Sequence, residues 1–76
     1  MNNVRRKSIR KLMEEIETLM ETAQQLLEEE EEYRDNIPEN LWGSERYEKA
    51  EEAADNLSSA VDSLEEAIDY IEEAIA

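Results

Sequence analysis

The side chains best equipped for chemistry in this 76-residue chain are carboxylates. Glu28, Glu29 and Glu32, followed by Glu52 and Asp55, stand at one-turn helical spacings. Hard oxygen donors in such pairs suit Mg²⁺ and, through it, the phosphate oxygens of a substrate. Most of the remaining catalytic vocabulary is missing. Without His there is no imidazole base and no Glu-x-x-His ligand pair of the kind that holds two irons in a helical bundle. Without Cys there are no disulfides, thiolate zinc sites or thiol nucleophiles. Whether the carboxylates form a site therefore depends on the elements that carry them.

From Val4 to Arg34 the apolar residues fall in three seven-residue rows. Ile9, Ile16 and Ala23 occupy heptad position a; Leu12, Leu19, Leu26 and Tyr33 position d; Met13, Met20 and Leu27 position e. No Gly or Pro interrupts them, so propensity and period both indicate a helix over about 4–34. The second half repeats more strictly. Ala50, Leu57, Leu64 and Ile71 take position a; Ala53, Ala60, Ala67 and Ala74 position d; Tyr47, Ala54, Val61, Ile68 and Ile75 position e. A sustained heptad favours left-handed supercoiling. The unbroken alanine line leads us to expect a neighbouring helix close along it, at the short end of the usual ~8–10 Å spacing.

Residues 35–44 break the pattern, since Pro38 removes a backbone donor and restrains Ile37 while Gly43 admits backbone angles other residues resist. Ile37, Leu41 and Trp42 are expected to pack the loop on itself, with one helical turn near Pro38. Ser44 is suited to cap a second helix over about 45–75. Two helices of about 31 residues, roughly 46 Å each, with one connection make an antiparallel hairpin and a single domain, 1–76. Folding back brings Arg5, Arg6, Lys7, Arg10 and Lys11 beside Asp69, Glu72 and Glu73. Those cations oppose the dipole of their own helix N-terminus, so the opposite end of the second helix suits them better.

Three apolar positions per heptad exceed the two of a two-stranded seam. A chain this short rarely closes a sufficient core alone. The expected architecture is all-α, a heptad-packed hairpin that self-associates into a four-helix bundle, most simply as a dimer, with a partner protein's helix as the rival covering. Leu12, Ile16, Leu19, Leu26, Ala53, Leu57, Ala60, Leu64, Ala67, Ile68 and Ile71 are the expected core and oligomer interface. Met13 and Met20 belong to the same stripe and need no other role.

Within this frame the carboxylates disperse. The spelling Glu28-Glu29-x-x-Glu32, then Glu52-x-x-Asp55, is similar to the Mg²⁺-binding pattern of the all-α nucleoside triphosphate pyrophosphatases, which implies metal-dependent phosphate chemistry. Glu29, Glu32, Glu52 and Asp55 fall at positions g, c, c and f, largely outward, where such a site needs convergence. With 22 acidic residues in the chain, chance matches are expected. No catalytic residue, metal or cofactor is therefore assigned. Most of the Glu28–Glu32 run is read as solvated surface, except Glu30, whose a position calls for a cation such as Arg34 or Arg46.

Charge points to interaction instead. The net charge is −14, and from Ala50 to Ala76 there are nine acids and no base. Over ~40 Å this is about one charge per 4.5 Å, comparable to ~3.4 Å along a DNA strand. Such a face, with Glu65, Glu66, Asp69, Glu72 and Glu73 at its end, could occupy the groove of a basic nucleic-acid-binding protein. Direct nucleic-acid or membrane binding by the five N-terminal cations is not expected, because the rest of the chain carries −19. Trp42 is either an exposed contact anchor or, on the plainer account, part of a plug at the bundle end. No apolar run approaches the ~20 residues of a membrane span. The basic start runs into Glu14 and Glu15 without an apolar core, so no secretory signal is expected, and the chain reads as cytoplasmic.

The stretch from Ile37 through Pro38, Glu39, Asn40, Leu41 and Trp42 to Ala53, followed by the Glu-Glu-Ala-Ile-Asp heptads, resembles small acidic proteins encoded in phages and prophages of Gram-positive bacteria. The likeness covers about Leu26 to Ala76 and is most specific at the Ile-Pro-Glu-Asn-Leu turn. It implies a bacterial or phage cytoplasmic setting and transfers no catalytic residue. Trp42 departs from the polar residue expected there. The combined expectation is a non-enzymatic helical interaction protein that oligomerises and binds a protein partner, as a phage accessory or counter-defence factor. The alternative is an acidic nucleic-acid mimic.

Overall fold

The computed structural model describes all residues, Met1–Ala76, as two helices: α1 Asn3–Asp35 and α2 Glu45–Ile75, joined by a loop with a 3-10 turn at Glu39–Leu41. Each end is closed by local chemistry. The Asn2 side chain accepts from the Arg5 amide at 2.8 Å and starts α1 one residue ahead of the sequence expectation. Ser44 Oγ accepts from the Tyr47 amide at 3.3 Å and starts α2. Pro38 stands just before the 3-10 turn, its carbonyl accepting from the Leu41 amide at 2.8 Å. Gly43 has φ +96°, a left-handed conformation that permits the reversal into Ser44.

The helices run back along one another in a rod whose Cα atoms span 59 × 15 × 13 Å. Their seam follows positions a and e on both sides. In α1 the partly buried residues include Ile9, Met13, Ile16, Met20, Ala23 and Leu27; in α2 Ala50, Ala54, Val61 and Ile68 are buried, and Tyr47, Leu57, Leu64, Ile71 and Ile75 are partly buried along the same two positions. Within the hairpin the alanine line is thus not the line of closest contact: Ala60 and Ala74 are exposed, and Ala53 and Ala67 lie only at the seam's edge. The reason is size. Turning α2 so that Val61 and Ile68 face inward hides far more apolar surface than turning in alanines.

Two groups of charges are left without ion pairs. The five N-terminal cations reach the same end of the rod as Asp69, Glu72 and Glu73, but no ion pair joins them; the salt bridges are Arg34 to Asp35 and Lys49 to Glu45. Glu30 takes neither suggested cation. Arg34 turns to its neighbour Asp35 at 3.1 Å, and Arg46 turns to Tyr33. Long exposed side chains gain too little from pairing in water to be held in one geometry.

Candidate functional site

Two contacts at the loop end establish which faces of the helices lie together. Arg46 Nε donates to the Tyr33 hydroxyl at 2.8 Å, and its guanidinium lies 5.2 Å from the centre of the same ring. Tyr33 and Arg46 both occupy position d. The d rows of α1 and α2 therefore border the same side of the seam. Stepping by heptads in opposite directions from this pair sets Leu26 level with Ala53, Leu19 with Ala60 and Leu12 with Ala67.

This side of the hairpin sets a row of large residues beside a row of small ones, a ridge and a trough in side-chain size. Leu12, Leu19 and Leu26 are 47%, 60% and 50% exposed, values that leave half of each leucine in water. Next to them on α2, positions d and g read Ala53, Asn56, Ala60, Ser63, Ala67, Tyr70 and Ala74, mostly small and wholly without acids. Counting d and g on both helices, the charged residues are Arg5, Arg46 and Lys49 against Glu15 and Glu29. One face of a −14 molecule is therefore nearly neutral, and slightly positive.

The outer surface of α2 is the reverse. All nine acids from Glu51 to Glu73 sit at positions b, c and f, are exposed and form no ion pair. Glu65, Glu66, Asp69, Glu72 and Glu73 are among them. Glu28, Glu29, Glu32, Glu52 and Asp55 are exposed too, and no group of three or more acids gathers within reach of a single ion. The Arg34 pKa is raised, chiefly by its hydrogen bond to Asp35 and against some desolvation. A recess among Val4, Lys7, Ser8, Arg10, Lys11 and Glu14 belongs to the outside of α1 alone and encloses nothing.

At the loop end Ile37 is only 2% exposed, the apolar plug of the hairpin. Trp42 is 51% exposed, yet held: its indole N–H donates to the Ile37 carbonyl at 3.0 Å, and its ring stacks on Tyr47 with centres 5.5 Å apart. At the opposite end Arg6, at an e position, has the one buried side-chain polar atom without a partner, Nε. No protein-family model, curated protein or solved structure matches this chain.

Of the residues expected at the core and oligomer interface, the hairpin seam takes up Ile16, Leu57, Leu64, Ile68 and Ile71. It leaves Leu12, Leu19, Leu26 and Ala60 exposed, with Ala53 and Ala67 between. Sequence reasoning did not separate these two sets. A signal was present in the α2 rows, where the bulky residues follow positions a and e and only alanine follows d. The Tyr33–Arg46 contact and the Asn2 cap were also missed. A d-to-d pairing across an antiparallel seam would have pointed to the first.

Proposed function

We propose that this chain is a non-enzymatic helical interaction protein that pairs with itself into a four-helix bundle and offers its acidic exterior to a protein partner. The exposed leucine row carries this reading. Only five of the 76 residues are buried, none of them in α1. The accessible surface, 5826 Å², exceeds by roughly 1,000 Å² the ~4,800 Å² typical of a compact monomer of 8.9 kDa. Covering the leucine face with a second hairpin supplies the missing core.

Sedimentation equilibrium at low micromolar concentration tests this. The expected species has twice the 8.9 kDa chain mass and is helical. A folded, cooperatively melting monomer under those conditions overturns it.

The unpaired acids of α2 favour, as a second reading, mimicry of a nucleic-acid backbone toward a basic host protein. Binding would then weaken steeply with salt and depend on Glu65, Glu66, Asp69, Glu72 and Glu73. Unchanged binding after neutralising those five overturns it. The setting we propose, a phage accessory or counter-defence factor, rests on the resemblance of Ile37 to Ala53 described above.

A further inference from the structure

We infer that two copies meet face to face with their loops at the same end, the leucine ridge of each α1 lying in the alanine–serine trough of the other copy's α2. This rests on the self-association proposed above and specifies its face and its symmetry. Three observations carry it.

Charge selects the face. A second molecule of net −14 approaching along positions b, c or f brings acids against acids over the length of α2. Only the d and g positions present a nearly neutral surface to an identical one, so the same face must serve both copies.

Size selects the symmetry. A two-fold axis across the rod would set leucine on leucine along one edge and alanine on alanine along the other. The first edge would be propped apart and the second left with voids, which close packing penalises. An axis along the rod sets large residues on small at both edges, the alternation that fills a core. It also preserves the hairpin's register, so Leu19 of one copy faces Ala60 of the other. At position g it brings Glu29 opposite Lys49 of the second copy, the main opposite charges the face offers along that line.

Area permits stability. A face about 46 Å long on a rod 15 Å wide gives roughly 700 Å² per copy, or ~1,400 Å² in all. Specific complexes bury about 1,200–2,000 Å².

Disulfide trapping tests the arrangement, and the chain has no cysteine to interfere. Leu19→Cys and Ala60→Cys are prepared separately, unfolded together, refolded and oxidised. The expected product is a mixed dimer joining the two variants, with little cross-linking of either alone, because Leu19 would lie about 13 Å from its own counterpart across the bundle and a disulfide needs Cα atoms within ~7 Å. Leu12→Cys with Ala67→Cys should behave alike. Helicity by circular dichroism and the mass of the reduced variants accompany each experiment. Efficient self-linking of Leu19→Cys, or a dimer that no pair traps, overturns this arrangement and leaves self-association standing. A helical monomer in the unmutated chain overturns the proposed function itself.

Discussion

On one side of the α1/α2 seam Tyr33 meets Arg46, and three heptads away Leu12 comes level with Ala67. On the other side the same register sets position b against position f: Glu17 level with Asp62, Gln24 with Asp55, and Glu31 with Glu48. The two flanks border the same core, yet one is greasy and almost uncharged while the other lines up like charges. Water suits the acidic flank, where carboxylates stay hydrated and repel a close neighbour. It does not suit the leucine flank. In the dimer proposed above, the hairpin is approached from the leucine side only, and the acids of the other flank help direct that association.

The sharpest way to break this contrast is a charge in the ridge. Leu19→Glu should raise the dissociation constant of the proposed dimer at least a hundredfold, about 3 kcal/mol, because each copy loses a leucine that only the dimer would bury and gains a carboxylate facing small apolar residues. Sedimentation equilibrium reads the change; retention of the dimer would remove the leucine flank from the interface. Ile68→Ala acts on the seam that both flanks share. A loss of about 2–3 kcal/mol per chain in urea unfolding is expected for this nearly buried side chain.

Ala60→Leu separates a trough from a merely sticky surface. Were greasiness alone responsible, the larger residue would tighten the dimer. A filled trough instead makes it bind about 1–2 kcal/mol more weakly, through overpacking, by the same sedimentation assay. The smallest effect belongs to the acidic flank. Glu17→Lys replaces a like-charge rung with an opposite pair and should stabilise by no more than ~1 kcal/mol, a gain that thermal melts should show at low salt and lose at high salt.

Much of the fold was legible in residue order. Heptad rows without Gly or Pro announced both helices, and Pro38, Gly43 and Ser44 marked the reversal because each has a local conformational reason for its place. Ile37 was recognised as loop packing, although its depth, the greatest along with Ala54, was not. The candidate surface was only half legible. Leu12, Leu19 and Leu26 were grouped with Ile16 because periodicity reports that a row is apolar, not which neighbour covers it. The cations and acids expected side by side at the terminal end do share it but form no ion pair, since charge pattern states which groups share an end and says little about whether flexible, hydrated side chains hold one geometry.

Local rules therefore determined the helices, their caps, the turn and the surplus of apolar width, since each depends on residues within a few positions of one another. Choosing a and e over a and d for the seam belonged to the tertiary structure alone. That choice compares the area two rotated helices hide together, with Val61 and Ile68 outweighing a line of alanines, and it also leaves the leucines of α1 at the edge of the seam, about half exposed.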